Sequence, residues 1–373
     1  MDKNATNLAS ATVERIASVD FFRGFTMFLL IGESTRLYNH IGSIESSSIM
    51  QFIGTQLSHQ KWNGLHFWDL IQPFFMFIVG VAIPFAVANR IKKGDSNKLI
   101  MFHALKRSFL LLFFGWALYC ISPGKIVFRF QDVLAQLSVT YLVAFMIMRK
   151  SFSFQLIFTL IILLLIDLAY RFFPVEGFNQ PWVAYQNLGA WVNNKIEGVD
   201  KASIWASLNA IPTIAHTVWG VLCGQLLMSD RPVRKKIQIM VIAGLTGLLI
   251  GYSLDFLNIT PIIKKIATSS FVFASGGWAI LALCLCYWLI DVKKVFAEGS
   301  KFFIIVGMNC IFIYLLFEVG GAKLLSNIFT PFTKALFWWG GDLTVGIMTS
   351  LTVWASLWYI CYWLYKNRLF IKI

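Results

Sequence analysis

The segment FWDLIQPFFMFIVGVAIPFAVAN (residues 67–89) is almost wholly apolar and carries one charged residue, Asp69. A helix of roughly 20 mainly apolar residues is long enough to cross the hydrocarbon core of a bilayer. Of the 373 residues in the chain, 58% are hydrophobic and 13% are charged. Soluble domains are charged at about a quarter of their positions. The composition predicts a multi-pass membrane protein with no separate soluble domain, so we expect a single transmembrane domain over residues 1–373.

Apolar segments of similar length recur along the whole chain and predict an all-α bundle of about ten transmembrane helices. We place these helices at about 19–38, 67–89, 104–122, 133–149, 154–173, 206–228, 236–256, 270–292, 302–320 and 343–365. The fourth is short, and we expect it to be tilted or broken.

The net charge of +14 indicates membrane topology rather than nucleic-acid binding, because the basic residues lie in short clusters between apolar segments. With the N-terminus inside, 21 of the 32 lysines and arginines fall on the inner side. This bias predicts that both termini are cytoplasmic. The loops 39–66, 123–132, 174–205, 257–269 and 321–342 then lie outside.

A polar stretch, HQKWNGLH (residues 59–66), directly precedes the second apolar segment. If residues 59–69 are helical, His59, Asn63 and His66 share one face, with Asp69 about a quarter-turn away. A histidine beside a carboxylate can be held in one tautomer and made more basic. It can then act as a general base, or as a nucleophile that carries an acyl group. A polar outer loop without chemistry is the alternative on spacing alone.

Ionisable residues also occur at both ends of the first apolar segment. Asp20 and Arg23 either form an ordinary helix start with Ser18 as N-cap, or an inward-facing anion site in which Arg23 meets a phosphate. Glu33 and Arg36 lie three positions apart near the other end, where they pair on one face or sit at the interface.

Further polar residues lie at the edges of later segments. Arg129 precedes the fourth segment, and Asn309 and Glu318 lie on the ninth. Asn309 either joins helices or lines a site, and Glu318 is either a boundary residue or a site carboxylate. The tryptophans of loop 174–205 form an interfacial belt or stack on sugar rings; they are Trp182, Trp191 and Trp205.

The sequence contains no glycine-rich phosphate loop, no GxSxG motif and no metal-ligand spacing. These motifs are typical of energised pumps, soluble-type hydrolases and metal sites, so we expect none of these and no metal.

Two motifs resemble the heparan-α-glucosaminide N-acetyltransferase family. Ser-Val-Asp-Phe-Phe-Arg-Gly (18–24) is similar to its opening Ser-Val-Asp-x-x-Arg-Gly. His59-x-x-Trp62-Asn63-Gly64-Leu65, followed by Asp69-Leu70-x-x-Pro73, is similar to its active-site stretch. Gly307-Met308-Asn309 and the end of the chain, Tyr365–Ile373, are similar as well. The resemblance runs from about residue 15 to the last residue.

This resemblance implies a multi-span acyltransferase bundle, usually a homodimer among membrane lipids, in which acetyl passes from cytoplasmic acetyl-CoA to a glucosamine-like amino sugar or oligosaccharide on the far side. The bacterial members imply an inner-membrane location. Three groups of site residues follow from the motifs and the polar positions above. They are His59, Asn63 and Asp69 for catalysis; Asp20, Arg23 and Asn309 for acetyl-CoA; and Trp62, His66, Glu33, Glu318 and Arg129 for the acceptor.

The chain also departs from the family pattern on the acceptor side. Glu33-Ser34 replace an asparagine, Ala135-Gln136 replace Gln-Arg, Phe317 replaces a histidine, and His66 replaces a hydroxyl residue of the mammalian members. Two other classes of function therefore stay open: a permease for an amino sugar or sugar derivative, which needs no pocket for coenzyme A, and a structural or assembly protein of the membrane.

Overall fold

The computed structural model describes residues 16–44, 47–199 and 203–371, and this part of the chain contains helices and loops but no strand. The start of the family resemblance near residue 15, its end at Ile373, and three of the basic residues counted on the inner side (Lys3, Arg15 and Lys372) lie outside the described residues. The described residues form fifteen α-helices, which are, in chain order, α1 Ala17–Ser34, α2 Leu37–Gly42, α3 Ser48–Gln56, α4 Ile71–Lys92, α5 Asn97–Ile121, α6 Val133–Ile147, α7 Phe152–Arg171, α8 Leu188–Glu197, α9 Ile214–Met228, α10 Val233–Phe256, α11 Ser269–Cys286, α12 Ser300–Met308, α13 Cys310–Glu318, α14 Gly321–Phe337 and α15 Gly341–Lys366.

The protein is a multi-pass integral membrane protein of the all-α class, as predicted. Among the described residues, seven helical segments are long and apolar enough to cross a membrane, or eight if the bent pair α12 and α13 forms one span. The seven are Phe67–Lys92, Asn97–Ile121, Phe152–Arg171, Ser207–Met228, Val233–Phe256, Ser269–Val292 and Gly321–Lys366. The predicted count of about ten is approximate, because α1 carries three charged residues and α6 has only 15 residues.

The described residues form two compact units, each built from separate parts of the chain. The first unit comprises residues 61–65 and 72–285. The second comprises residues 16–60, 66–71 and 286–371, so it joins the two ends of the described chain. The single domain over residues 1–373 stays a prediction.

In the first unit, α4 and α9 lie backbone to backbone. Gly80 faces the carbonyl of Thr217, and Gly220 faces that of Phe77, so a Cβ at either glycine would overlap the opposite chain. The buried core around this contact includes Phe77, Val81 and Val221. In lipid there is no hydrophobic driving force between helices, so they associate through close van der Waals packing. Small residues such as these glycines allow the two backbones to approach closely.

In the second unit, glycines likewise allow α1 and α12 to pack backbone to backbone. Gly24 lies against the carbonyl of Phe303, and Gly307 lies against the backbone of Asp20 and Gly24. The α1 helix ends at Ser34 because Arg36 adopts a left-handed backbone conformation (φ 65°), and the chain restarts as α2. The first span was expected to continue to residue 38, so that boundary was wrong.

Two further expectations were wrong in the last hundred residues. The ninth span is not one helix, since α12 and α13 are bent by 71° at Asn309. The predicted outer loop 321–342 is largely the helix α14, whose apolar residues recur every fourth position at Leu324, Ile328, Phe332 and Leu336. The α14 and α15 helices form a hairpin, in which the hydroxyls of Thr333 and Thr349 are 2.6 Å apart.

Candidate functional site

The polar stretch before α4 is irregular rather than helical. Residues 59–66 have no helical hydrogen bonds in the structure, and Gly64 has a φ of 112°. The backbone N–H groups of Gln60 and His66 donate to the side chain of Asp69 instead of to carbonyls four residues earlier. The condition for His59, Asn63 and His66 to share one helical face is therefore not met.

Within the second unit, Asp69 binds His59, Gln60 and His66. It lies on a 3₁₀ turn, Phe67–Leu70, that leads into α4, and its side chain is 1% exposed. Its Oδ1 is 2.9 Å from Nδ1 of His59. Its Oδ2 accepts from the N–H of Gln60 at 3.2 Å and of His66 at 3.0 Å. A carboxylate that accepts several hydrogen bonds is stabilised in its charged form.

This contact fixes the tautomer of His59. Because both oxygens of Asp69 act as acceptors, Nδ1 of His59 carries the hydrogen and donates it. The lone pair of the neutral ring then lies on Nε2, which is the atom that can take a proton or an acyl group. The His59 side chain is 39% exposed, so the ring is accessible from one side while its partner carboxylate is buried. A histidine oriented by a buried carboxylate is the arrangement used for general-base and nucleophilic catalysis.

His66 is held by a different contact. Its Nδ1 lies 3.0 Å from the carbonyl oxygen of Ser58. Since a carbonyl can only accept, this nitrogen is the donor and Nε2 again carries the lone pair. The two histidines of the stretch therefore share a tautomer but have different partners.

The residue next to Asp69 links this stretch to a cavity. The Nε1 of Trp68, a side chain 1% exposed, donates to Oε1 of Glu33 at 2.7 Å. Glu33 lines a cavity of about 440 Å³ with Glu318, so the structure brings together two carboxylates that the sequence assigned to acceptor binding. The other lining residues are Leu30, Ser34, Thr35, Arg36, Phe317, Gly320, Ala322, Lys323, Ser326 and Asn327.

The other end of α1 carries the ion pair of Asp20 and Arg23, whose Oδ1 and NH2 atoms are 2.8 Å apart. The Nε of Arg23 is buried and has no hydrogen-bond partner among the described residues. One alternative from the sequence made Ser18 the N-cap of this helix. In the structure the carboxylate of Asp291 accepts from the N–H groups of Ala17 and Ser18 at 2.9 and 3.1 Å instead. Sequence reasoning missed Asp291, for which a lone acid before Lys293 and Lys294 is the only signal.

Asn309 lies at the bend between α12 and α13 and is fully buried. Its Nδ2 donates to the carbonyl of Leu369 at 3.2 Å, and its Oδ1 accepts from the N–H of Ile371 at 3.0 Å. This side chain therefore binds the C-terminal segment to the bend. The side-chain amide donates one hydrogen bond to this segment and accepts one from it, as the backbone of a neighbouring β-strand would.

The remaining predicted residues lie in the first unit. Trp62 donates from Nε1 to the carbonyl of Trp182 at 2.8 Å, and Asn63 is exposed. Arg129 pairs with Glu197 at 2.8 Å. Glu197, whose side chain is 3% exposed, also accepts from Gln131 and was not singled out by the sequence.

Residues 61–65 are attached to the segment that precedes α11. The N–H of Gly64 donates to the carbonyl of Ile262 at 2.8 Å, and Nζ of Lys265 donates to the carbonyl of Lys61 at 2.5 Å. The loop tryptophans pack on protein groups here: Trp182 on Tyr170 and Arg171, Trp191 on Phe173, and Trp205 beside Lys264 and Lys265.

Across residues 16–44, 47–199 and 203–371, no group of three or more His, Cys, Asp or Glu residues is arranged to hold a metal ion.

No protein-family model matches the chain. Two curated proteins match nearly its whole length: the heparan-alpha-glucosaminide N-acetyltransferases of Mus musculus and Homo sapiens, both at 26% identity. The matches cover 97% and 99% of this chain. The chain is a distant relative of these two N-acetyltransferases. This confirms the resemblance predicted from residues 18–24 and 59–73. The chain spans 61% of the length of each relative.

Proposed function

We propose that this protein is a transmembrane acetyltransferase that moves acetyl from acetyl-CoA to the amine of an amino sugar on the opposite side of the membrane. The observation that carries the proposal is the buried carboxylate of Asp69 held 2.9 Å from Nδ1 of His59. The names of the two relatives support an N-acetyltransferase reaction. We further propose that both termini are cytoplasmic, which the basic clusters between the apolar segments support. The family resemblance supports a homodimer in a bacterial inner membrane.

In the proposed reaction, Nε2 of His59 accepts a proton from the acceptor amine as the nitrogen attacks the thioester carbonyl. The C–S bond breaks, the amide C–N bond forms, and the imidazolium returns the proton to the leaving thiolate. Alternatively, Nε2 attacks the thioester carbonyl first, and the C–S bond breaks to release the thiolate. The amine then attacks the acetylated ring, the bond from the acetyl carbon to Nε2 breaks, and the thiolate takes up the proton that the amine loses. In both routes Asp69 stabilises the positive charge that develops on the ring.

The acceptor is assigned to the outer-side residues. Glu33 and Glu318 line one cavity, and carboxylates suit an amine because they attract its ammonium form. Trp62, His66 and Arg129 complete the assignment for the acceptor, and Asn63 joins His59 and Asp69 in catalysis. Trp62 and Arg129 have structural partners in the first unit, so their contribution would be to shape and position the loops.

The donor is assigned to Asp20 and Arg23. The donor carries phosphates, and the buried Nε of Arg23 without a partner is a donor atom that such a group could satisfy. Asn309 acts indirectly in this assignment, because both ends of its amide are occupied by the C-terminal segment.

The direct test uses purified full-length protein in detergent or nanodiscs with radiolabelled acetyl-CoA and a panel of amino sugars. We expect label to appear on the sugar nitrogen only when acetyl-CoA, protein and an amino sugar are all present. Label that stays on acetyl-CoA with every member of the panel would contradict the proposal.

Replacing Arg23 with glutamine should weaken the donor side selectively. We expect KM for acetyl-CoA to rise roughly tenfold, since a charge-assisted hydrogen bond is worth about 1.5–3 kcal/mol, with little change in KM for the amino sugar. Initial rates at varied acetyl-CoA concentration measure the effect. Arg231→Gln, an exposed change in another basic cluster, is the matched control and should leave KM for acetyl-CoA unaltered. Equal KM values for both variants would remove Arg23 from the donor site.

One observation favours a permease instead, namely the 71° break between α12 and α13. Broken spans are common at the binding sites of secondary transporters. A permease would carry labelled amino sugar into vesicles without acetyl-CoA, whereas the acetyltransferase would retain label on the N-acetylated product. The same vesicles and sugars therefore separate the two functions.

A further inference from the structure

The α14 helix has three sides of different character. One side is buried in the second unit and consists of Ala322 and Thr333. The second side, here called the apolar stripe, consists of large residues that are between 49% and 68% exposed: Leu324, Ile328, Phe332 and Leu336. The third side consists of exposed polar residues: Lys323, Asn327, Thr330 and Lys334. At about 100° of rotation per residue, the centres of the apolar and polar sides are roughly 150° apart.

Both ends of α14 are attached near the same end of α1. At its start, Ala322 lines a cavity with residues 33–36. Toward its other end, Thr333 contacts the hydroxyl of Thr349, and the hydroxyl of the next residue donates to the carbonyl of Thr35 at 2.7 Å. A helix that crossed the membrane beside α1 would have its two ends near opposite ends of α1. The α14 helix therefore runs across the end of α1 rather than alongside it.

The large side chains of the apolar stripe suit acyl chains better than they suit a neighbouring helix. Where helices of this chain pack on one another, glycines bring the backbones together, as at Gly80 with α9 and Gly24 with α12. Such small residues are typical of helix contacts in membranes. The apolar stripe contains no residue smaller than leucine. Leu, Ile and Phe on one side of a helix and polar residues on the other are typical of helices that lie between the headgroups and the acyl chains.

The residues around the apolar stripe also fit a lipid surface. Trp338 and Trp339 directly follow α14 and are 72% and 71% exposed. Tryptophan is enriched at the level of the headgroups. Residues 321–341 contain two lysines, Lys323 and Lys334, and no acidic residue. Lysines on the polar side of such a helix are attracted to anionic lipids. The stripe, the tryptophans and the charge therefore all match one partner, the surface of a bilayer.

We propose that α14 is an amphipathic helix that lies in the plane of the membrane, with its apolar stripe in the acyl chains and its polar side toward the headgroups and water. Lipid then covers the stripe, rather than a protein partner or a second copy of this chain. The α15 helix, with 26 residues, is the part of the segment Gly321–Lys366 that crosses the membrane. This arrangement does not depend on acetyl transfer, because its test needs no substrate.

The test places nitroxide labels on single introduced cysteines in the full-length protein, reconstituted in vesicles of phosphatidylcholine and phosphatidylglycerol. Collision rates with oxygen, which concentrates among acyl chains, and with a water-soluble nickel chelate give the depth of each label. We expect the labels of the apolar stripe to share one depth, about 5–10 Å below the headgroups, although the first and last are about 18 Å apart along the helix. The four stripe variants are Leu324→Cys, Ile328→Cys, Phe332→Cys and Leu336→Cys. Labels at Asn327→Cys and Thr330→Cys should collide mainly with the nickel chelate.

A helix that crosses the membrane supplies the control for depth. Ile242→Cys and Leu249→Cys replace exposed residues of α10 that are about 10 Å apart along its axis, so their depths should differ by nearly that distance. The unsubstituted protein, treated with the same label, measures the background from the six native cysteines, which are buried or half-buried.

A matched pair of acidic substitutions tests the two sides of α14. In the protein labelled at Ile328→Cys, Phe332→Glu places a charge among acyl chains. We expect it to lower the oxygen collision rate of the label roughly threefold or more, because the helix is drawn out of the lipid. Thr330→Glu places the same charge on the polar side and should change that rate little.

Three results would overturn the proposal. Stripe labels whose depths spread over about 18 Å would make α14 a helix that crosses the membrane. Stripe labels that collide with neither reagent would show that a protein partner, such as a second copy of this chain, covers the stripe. Stripe labels that collide mainly with the nickel chelate would show that the stripe faces water.

Discussion

His59→Ala should abolish acetyl transfer, lowering the rate by at least roughly 10³-fold, while the protein still folds and binds coenzyme A. The ring of His59 is hydrogen-bonded to the Asp69 carboxylate itself, whereas the ring of His66 is bound to the carbonyl of Ser58, so we expect His66 not to replace it. The change removes a partly exposed side chain, and the buried carboxylate keeps its two backbone donors at Gln60 and His66. We therefore expect a properly folded, inactive protein.

The measurement is product formation with labelled acetyl-CoA, accompanied by the melting temperature and by equilibrium binding of coenzyme A. His103→Ala is the matched control, because His103 lies on α5 and no role in the site is assigned to it. If the His59→Ala variant retained turnover, the assignment of His59 as the catalytic residue would be wrong. Loss of coenzyme A binding would instead show that His59 belongs to the donor pocket.

Asp69→Asn should lower the rate by about 10²–10⁴-fold by reversing the tautomer of His59. The amide keeps one oxygen for the backbone donors of Gln60 and His66, but turns an N–H group toward Nδ1 of His59. That nitrogen must then accept, so the hydrogen moves to Nε2 and the reactive lone pair is lost. Because the shape of the side chain is unchanged, the loss should fall on kcat rather than on either KM.

Asp69→Ala separates this effect from stability. It leaves the N–H groups of Gln60 and His66 without their acceptor, and we expect a loss of roughly 2–4 kcal/mol in the free energy of unfolding. Asp95→Asn is the control, since Asp95 forms a half-exposed ion pair with Arg90 worth at most about 1 kcal/mol. Wild-type kcat in Asp69→Asn would show that the carboxylate only holds the loop.

The long helices could be predicted because apolar length alone determines whether a segment can cross a bilayer. The pairing of His59 with Asp69 was expected, but from a helix that does not form; the real cause is the buried carboxylate, which collects backbone N–H groups that a helix would have used internally. The distinction matters for Asn63, whose expected position on a shared face depended on that helix.

The contacts that could not be predicted join residues far apart in the chain. Asp291 caps α1 across 273 and 274 positions, and Trp68 binds Glu33 across 35. A single sequence shows periodicity and local spacing, and neither carries information about such partners. The bend at Asn309 had a local signal, a polar residue beside Gly307 in an apolar run, but its cause is the C-terminal segment 60 residues later.

The second unit is built from separate parts of the chain, so its contacts form in a fixed order as the chain is synthesised. Its first helix leaves the ribosome with Asp20, Arg23 and Glu33 on it, yet the cap from Asp291 and the packing surface on α12 are made about 270 residues later. At synthesis rates of about 5–20 residues per second, tens of seconds pass between the synthesis of α1 and that of its partners Asp291 and α12. The hydrogen bonds of Asn309 with Leu369 and Ile371 form only once these residues, 60 and 62 positions later, have been synthesised. The second unit is therefore completed only after residue 371 has been synthesised.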